Sequence, residues 1–359
     1  MNLNQALSLL NSDVRNLQAY HLKPEVFEIK LNQNESPFDW PESIKEDFAE
    51  FCKTRPWNRY PDFIPLELKN TIASYVNTSP DTIIAGNGSN EMLLVLLLSL
   101  TQAGSPVIIC QPTFTVYQLL TNGLGRKLEA VHLNDDLSFN TTEILNASNK
   151  APGSLLILCS PNNPTGTALS ETQVREILDN HSGFLILDQA YVEFGGYNAL
   201  PLVNEYPNLI VTRTFSKAFS GAGLRFGYMI GNPEVIREIN KIKLPYNINF
   251  FTEYLVRVMF SNSDIIEESV KRLLVQRKKL IMFLNTLPFD KIYPTAANFI
   301  LLRTKFKDAL FTYLKDNNIL LRDVSSYPML HDCLRICVGT EEENEMVMSK
   351  LSDFFRDNG

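Results

Sequence analysis

The middle of the chain alternates short apolar runs with helical patterns, and this alternation limits the possible folds more than any other feature. Six runs are predicted to be strands: TIIAGN (82–87), SPVIICQPTF (105–114), SLLILCS (154–160), FLILD (184–188), LIVTRTFS (209–216) and RFGYMIGN (225–232). Helical stretches lie between several of them, such as 89–100 and 170–180, where Ser170 is the predicted N-cap. This order predicts an α/β domain with a mostly parallel central sheet covered on both faces.

A second, smaller α/β domain is predicted at the C-terminus. The stretch 252–287 has a charged helical pattern, and strands separated by helices are predicted at 293–304, 318–323 and 333–340. The first forty residues show no sheet of their own. The predicted division is therefore an N-terminal segment at 1–40 that packs with the small domain, a large cofactor-binding domain at 41–248 and a small domain at 249–359.

Composition argues against several classes of function. The chain has 359 residues and a net charge of -7, without a visible basic patch, so no nucleic-acid partner is expected. Its five cysteines include no C-x-x-C pair, which favours a reducing cytoplasm over a disulfide framework. The four histidines are not spaced as a metal pair, and we expect no metal. The longest apolar run, 92–100, is too short to span a bilayer, and the N-terminus lacks a signal-peptide pattern, so no membrane association is expected.

Polar side chains gather where the predicted strands end. Ligands of open α/β sheets bind beyond the carboxyl ends of the strands. The residues at or just after these ends are Ser89, Asn90, Asn163, Asp188, Tyr191, Ser216 and Lys217. Each feature alone also fits an ordinary turn or helix cap, because Pro, Asn, Ser and Gly favour both. Their combination is more informative than any single one.

The combination matches the needs of pyridoxal phosphate. A small-residue loop that opens a helix offers backbone N–H groups to a phosphate, and Ser216 and Arg225 add a hydroxyl and a guanidinium. Lys217 lies among small and apolar residues, a costly setting unless the amine is neutral, paired or covalently used. Pyridoxal phosphate requires a lysine for its aldehyde, an acid for its ring nitrogen, donors for its ring oxygen and an anion cradle. The sequence thus predicts that Lys217 binds this cofactor covalently.

Several motifs together resemble one enzyme family. SPNNPTG, LDQAYVEF, TRTFSKAFSGAGLRFGY and LRICVGTEEEN resemble the fold type I, class II aminotransferases, and within them the histidinol-phosphate aminotransferases. LNQNESPF, NRYPD, GNGSNE, PTFTVY and PYNIN follow in the family's order, so the resemblance covers nearly the whole chain. It implies a large domain with a mostly parallel sheet and a smaller C-terminal domain. It also implies transamination of L-histidinol phosphate with 2-oxoglutarate, giving imidazole acetol phosphate and L-glutamate in histidine biosynthesis.

The resemblance also implies roles for individual residues. Lys217 would hold the cofactor and act as general base, Asp188 would pair with the pyridine nitrogen, and Tyr191 with Asn163 would donate to the ring oxygen. The other implied contacts are Ser89, Asn90, Ser216 and Arg225 to the phosphate, Phe114 stacked on the ring, and Arg335, Arg322 and Asn34 to the substrate. Tyr60 would reach the cofactor phosphate of a neighbouring subunit, which implies a homodimer with shared active sites.

Other functions stay open at this point. Threonine-phosphate decarboxylases and aromatic amino acid aminotransferases share the cofactor motifs. A non-catalytic regulatory protein with an aminotransferase-like part normally carries a DNA-binding module before it, and only about forty residues without a basic helix precede the matched region here. The chain departs from the family's usual pattern at several residues. Gln189 replaces the acid of D-E-A-Y, Ser36 interrupts the usual N-E-N-P, Phe114 stands where tyrosine is common, and Ser220 with Gly221 stand where bulkier residues are usual.

Overall fold

The computed structural model describes residues 1–18 and 26–358. Residues 19–25 of the predicted N-terminal segment and residue 359 of the predicted small domain lie outside the described residues. The strands are β1 (Ile29–Lys30), β2 (Ile83–Gly86), β3 (Pro106–Gln111), β4 (Lys127–His132), β5 (Leu155–Cys159), β6 (Leu185–Asp188), β7 (Leu209–Thr214), β8 (Gly227–Ile230), β9 (Lys291–Ile292), β10 (Phe299–Arg303), β11 (Ile319–Leu320), β12 (Arg322–Asp323) and β13 (Cys333–Cys337). The helices are α1 (Leu3–Ser8), α2 (Ser12–Arg15), α3 (Glu42–Thr54), α4 (Leu66–Val76), α5 (Gly88–Leu100), α6 (Thr115–Gly123), α7 (Thr141–Lys150), α8 (Glu171–Asn180), α9 (Pro233–Ile239), α10 (Phe250–Ser261), α11 (Ser263–Leu284), α12 (Lys307–Asp316) and α13 (Glu341–Asn358).

A large mixed sheet forms the centre of the described structure. Its seven strands follow the order β2-β8-β7-β6-β5-β3-β4 within the described residues. All neighbouring pairs are parallel except the two made by β8, which runs antiparallel to both β2 and β7. Every residue of β5, β6 and β7 is buried, as expected for strands covered on both faces. The predicted α/β class and mostly parallel sheet are confirmed.

The N-cap predicted from the sequence is present at the start of α8. At α8, Ser170 Oγ accepts from the Gln173 backbone N–H at 3.3 Å, and Gln173 Oε1 accepts from the Ser170 N–H at 3.0 Å. This reciprocal pair satisfies two donors that a helix N-terminus otherwise leaves unpaired. The N-cap prediction for Ser170 is confirmed, and α8 turns the chain from β5 back to the start of β6.

A smaller sheet lies in the C-terminal part of the chain. It follows the order β12-β13-β10-β9 with antiparallel neighbours, while β1 pairs with β11 in parallel. The N-terminal segment therefore contacts this region through β1, whereas α2 packs on α6, beside the large sheet. The predicted packing of 1–40 describes only part of this arrangement, and the three-part division stays a prediction.

Several predicted elements differ from the structure in detail. The edge strand β4 was missed because its residues are mostly exposed and show no continuous apolar run. Residues 293–298 are not part of a strand, since the backbone of Ala296 instead bonds Gly166 O at 2.8 Å. The stretch 318–323 forms two short strands, and 252–287 forms two helices that meet at Asn262. In the part of the chain that the structure describes, no helix combines the length and apolarity needed to cross a bilayer.

Candidate active site

The carboxyl ends of the parallel strands surround one cleft with a volume of about 260 Å³. Loops after β3, β5, β6 and β7 form its floor, and the start of α5 closes one end. The segment at 32–35 and residues of β12 and β13 form the opposite wall. Residues far apart in sequence are thus brought together at the place where open α/β sheets bind ligands.

Lys217 lies three residues after β7 and reaches into this cleft. Its Nζ donates to the Gln33 carbonyl oxygen at 2.9 Å and has no carboxylate within ion-pair distance in the described chain. Burial, together with the nearby Arg335 and Arg225, lowers the pKa of the Lys217 ammonium to about 8, although Cys337 and Glu35 partly oppose this. An amine with this pKa is partly neutral near physiological pH, the form that attacks an aldehyde.

Asp188 is the last residue of β6 and is 3% exposed. Its Oδ2 accepts from Tyr117 Oη at 2.6 Å, and its Oδ1 accepts from the Ala190 N–H at 3.1 Å. Burial raises the pKa of Asp188, while the hydrogen bond from Tyr117 opposes that rise. The carboxylate keeps further acceptor capacity on the cleft side, which suits a protonated ring nitrogen.

An anion cradle lies at the start of α5. The N-cap residue, Asn87, makes no side-chain capping bond, so the first backbone N–H groups of the helix, at Ser89 and Asn90, stay open to a ligand. Arg225 Nη1 donates to Ser216 Oγ at 3.3 Å and places its guanidinium over Gly88. Gly88 has φ +78°, and a Cβ there would lie 2.7 Å from Arg225 Nη2. The left-handed backbone therefore favours glycine, and a side chain would push the guanidinium away. The donors of this cradle fit a phosphate group.

Two arginines lie side by side on the opposite wall. Arg335 of β13 is directly paired with Arg322 of β12, so both side chains point to the same face of the small sheet. Arg335 Nη2 donates to Asn32 O at 2.7 Å and Nη1 to Asn163 Oδ1, but its buried Nε has no partner. Neither guanidinium forms an ion pair with an acidic side chain among the described residues. Like charges at this spacing, with a donor left over, fit an acidic ligand.

Tyr191 and Asn163 lie between the lysine and the arginine pair. Tyr191 Oη accepts from Asn34 Nδ2 at 2.9 Å, so the phenol proton stays free for another acceptor. Asn163 uses its Oδ1 for Arg335, which leaves its Nδ2 as a donor. Both groups can therefore donate to an oxygen in the cleft, as the phenolic oxygen of pyridoxal phosphate requires.

Tyr60 lies outside this cleft. Its side chain is 78% exposed, and its ring stacks on Tyr246 at a centroid distance of 4.7 Å. Phe63 contacts the same Tyr246 ring edge-on at 5.6 Å. A single chain thus leaves Tyr60 on its surface, and the predicted contact with a neighbouring subunit stays a prediction.

Comparison with known proteins decides the family. Residues 28–351 match the family described as aminotransferase class I and II. The chain belongs to the class I and II aminotransferases. The histidinol-phosphate aminotransferase of Chlorobaculum tepidum is 35% identical over 345 residues, which cover 96% of this chain and 99% of the relative. That of Prosthecochloris aestuarii is 36% identical over 345 residues, with 96% and 97% covered.

The fold of this aminotransferase also matches solved structures. The crystal structure of histidinol-phosphate aminotransferase from Sinorhizobium meliloti in complex with pyridoxal-5'-phosphate aligns with a TM-score of 0.87 at 23% identity. The alignment covers 98% of this chain and 99% of that one. At this identity the likeness establishes the fold, and it confirms the predicted fold type I architecture.

Most of the residues selected from sequence meet in the cleft of the aminotransferase. Those that line it are Asn34, Ser89, Asn90, Phe114, Asn163, Asp188, Tyr191, Ser216, Lys217, Arg225, Arg322 and Arg335. Tyr60 is the one selected residue that does not. The cleft fits pyridoxal phosphate at both ends, with a phosphate cradle at α5 and a buried carboxylate at β6. The individual roles stay predictions.

Sequence reasoning missed the partners of these groups. Tyr117 was quoted only as part of a family motif, yet it is the aminotransferase's donor to Asp188. A usable signal was its place three residues after Phe114 on α6, because a tyrosine on the inner face of a helix needs a partner for its hydroxyl. The backbone oxygen of Gln33, which accepts from Lys217, left no signal, since any residue type carries that group.

The unusual Gln189 lies in a buried polar cluster with Arg213 and Glu193. Gln189 Oε1 accepts from Arg213 Nη2 at 3.0 Å, and the carboxylate that pairs with Arg213 comes from Glu193 at 3.0 Å. Both partners of that ion pair are largely buried. The buried guanidinium of Arg213 is thus neutralised by Glu193, while Gln189 contributes a neutral acceptor to it.

Proposed function

We propose that this chain is a pyridoxal-phosphate-dependent aminotransferase that converts L-histidinol phosphate and 2-oxoglutarate into imidazole acetol phosphate and L-glutamate in histidine biosynthesis. The cleft that joins Lys217 and Asp188 to the paired arginines is the observation that carries the proposal. Relatives named histidinol-phosphate aminotransferase, aligned over 96% of the chain, support the choice of substrate. We further propose that it works in the cytoplasm, where its five free thiols stay reduced.

Different residues of the cleft would hold different parts of the cofactor. When bound, pyridoxal phosphate supplies an aldehyde that captures amines and a protonated ring that withdraws electrons from the substrate's α carbon. The start of α5 with Ser216 and Arg225 would hold its phosphate, and Phe114 would lie against its ring. Asp188 would hold the ring proton, since a buried carboxylate attracts an adjacent N–H⁺ strongly.

Lys217 would serve twice in the reaction. As a neutral amine it binds the aldehyde, which its lowered pKa of about 8 favours. Once the substrate amine displaces it, Lys217 Nζ would act as general base and take the proton from the substrate's α carbon. Tyr191 and Asn163 would donate to the ring oxygen and hold the ring in place during this transfer.

The paired arginines would select the acidic part of both substrates. L-Histidinol phosphate carries a phosphate, and glutamate carries carboxylates. Arg335, with an unpartnered Nε, and Arg322, across the strand pair, offer donors that either group can accept. One cationic wall can thus serve both halves of the cycle.

A panel of amines tests the substrate directly. Cofactor-loaded protein is mixed with L-histidinol phosphate, L-histidinol, L-glutamate, L-phenylalanine or O-phospho-L-threonine, and loss of the visible band of the lysine-bound cofactor is followed. L-Histidinol phosphate should react fastest by kcat/KM, and O-phospho-L-threonine should release no carbon dioxide. Faster reaction of L-phenylalanine, or carbon dioxide from O-phospho-L-threonine, would instead identify an aromatic aminotransferase or a decarboxylase.

A variant makes the panel sharper. Arg322→Gln should lower the ratio of kcat/KM for L-histidinol phosphate to kcat/KM for L-histidinol. Only L-histidinol phosphate carries the phosphate group that the Arg322 guanidinium would bind. Arg303→Gln, on β10 and outside the cleft, is the matched control and should keep the preference. An unchanged preference in Arg322→Gln would contradict the assignment of Arg322.

We also propose that two copies of the chain form a homodimer with shared active sites. Exposed apolar side chains gather around Tyr60 and its stacking partner Tyr246, and they include Trp57, Phe63 and Leu244. Such a patch is typical of a protein interface. In a two-fold dimer, Tyr60 of each copy would reach the cofactor phosphate of the other.

Mixing two inactive variants tests this arrangement. Tyr60→Ala and Lys217→Ala dimers are combined under conditions where labelled subunits exchange. Hybrid dimers should regain activity, because one of their two sites carries both groups. Failure to regain activity after proven exchange would contradict a role for Tyr60 across the interface, and a monomer in light scattering would contradict the dimer itself.

A further inference from the structure

Asn34 is held in an unusual conformation by a thiol. It is 1% exposed, with a left-handed φ of +56°, a region that non-glycine residues seldom adopt without local support. Its backbone N–H donates to Cys337 Sγ at 3.0 Å, and Cys337 Sγ donates to Asn34 Oδ1 at 3.2 Å. Cys337 is the last residue of β13, and its own backbone N–H bonds Leu31 O at 3.0 Å. One cysteine thus fixes both the backbone and the amide of Asn34.

The orientation of the Asn34 amide determines whether the Tyr191 hydroxyl accepts or donates a hydrogen bond at this contact. With Oδ1 turned to the thiol, Nδ2 faces Tyr191 Oη at 2.9 Å and donates to it. Tyr191 then accepts at this contact and keeps its own proton for the cleft. If the amide were reversed, Oδ1 would face Tyr191 and take that proton, and the cleft would lose a donor.

We infer that Cys337 is a positioning residue that keeps the Tyr191 hydroxyl proton directed into the active site, by fixing the Asn34 amide. The inference rests on the proposed function, because the acceptor of that proton is the ring oxygen of pyridoxal phosphate. Cys337 does not line the cleft that holds this group and acts through Asn34.

The state of the thiol agrees with this role. Burial raises the pKa of Cys337, although the nearby Arg335 and Lys217 oppose the rise. The side chain therefore stays a protonated thiol at neutral pH and can donate to Asn34 Oδ1. A thiolate has no proton to donate to Asn34 Oδ1, so it would not hold the amide in this orientation.

The spectroscopic pKa of the lysine-bound cofactor measures the effect. A donor to the ring oxygen draws charge from it, and that oxygen then holds the neighbouring proton less tightly. Cys337→Ala should therefore raise this pKa by about one unit, the shift that corresponds to one lost hydrogen bond to a charged group. Cys337→Ser, which keeps a donor and an acceptor, should restore the wild-type value. Cys110→Ala is the matched control, because this buried thiol of β3 makes no contact with Asn34 in the described chain. It should leave the pKa of the lysine-bound cofactor unchanged.

A double variant separates this role from general packing. Tyr191→Phe should raise the pKa by itself, and adding Cys337→Ala to it should give no further rise. An unchanged pKa in folded Cys337→Ala, or an equal shift in the presence and absence of Tyr191, overturns the inference. If the alanine variant does not fold, Cys337→Val fills the space without hydrogen bonding and is judged in the same way. Wild-type protein that forms no lysine-bound cofactor would instead contradict the proposed function.

Discussion

Removing the hydroxyl of Tyr117 should move the acid side of the pH–rate profile. Tyr117 is 1% exposed and donates to Asp188 Oδ2 at 2.6 Å, at a site where burial already raises the pKa of the carboxyl. A hydrogen bond to a charged group contributes about 1.5–3 kcal/mol, and one pKa unit corresponds to about 1.4 kcal/mol. Tyr117→Phe keeps the ring and its edge-on contact with Phe114, and it should raise the pKa of Asp188 by about one to two units.

The consequence is visible in kcat. Asp188 must be ionised to hold the ring proton, so the acid limb of kcat against pH should move up by about one to two units in Tyr117→Phe, with little change on the alkaline side. Tyr228→Phe is the matched control, because that hydroxyl is equally buried on β8 but has no hydrogen-bond partner in the described chain. An acid limb that stays in place in a folded, cofactor-loaded Tyr117→Phe protein would refute the reasoning.

Three further predictions concern the lysine and the buried carboxylate. Lys217→Ala should lose covalently bound cofactor and nearly all turnover, because attachment and general base disappear together; borohydride reduction with mass spectrometry and a rate assay measure both. Capture of pyridoxal phosphate by cofactor-free protein should accelerate with pH and level off above about pH 8, since burial lowers the pKa of Lys217 to about 8. Equal stopped-flow capture rates well below and well above pH 8 would contradict this prediction. Asp188→Asn should lower turnover by orders of magnitude with cofactor still bound. In cofactor-free protein it should raise Tm at neutral pH, because a carboxyl with a raised pKa destabilises the folded state once ionised; the gain should vanish below about pH 4, where both folded and unfolded wild type are protonated.

The sequence was sufficient for the class of fold and for the groups that would contact the cofactor directly. Runs such as 185–188 and 209–214 predict buried strands, and their carboxyl ends determine where Asp188 and Lys217 must lie. Those predictions depend on local patterns and on a general property of open sheets. The edge strand β4 has no such pattern, since solvent covers much of it.

The missing parts of the site depend on contacts between distant segments. Gln33 meets Lys217 through a backbone oxygen, and Cys337 meets Asn34 across 303 positions in sequence. Neither contact requires a particular local pattern, so only the packed structure reveals it. Tyr60 is exposed and stacks on Tyr246 within the chain, so its proposed contact with a neighbouring subunit depends on a surface that a single chain does not complete.

Transfer of labelled nitrogen tests the proposed reaction most directly. The protein is loaded with pyridoxal phosphate and incubated with 2-oxoglutarate and L-histidinol phosphate that carries ¹⁵N in its amino group, and L-glutamate is analysed by mass spectrometry. The label should appear in L-glutamate in step with the formation of imidazole acetol phosphate, and Lys217→Ala should form neither product. Unlabelled L-glutamate, or consumption of L-histidinol phosphate without transfer of its nitrogen, would contradict the proposed transamination.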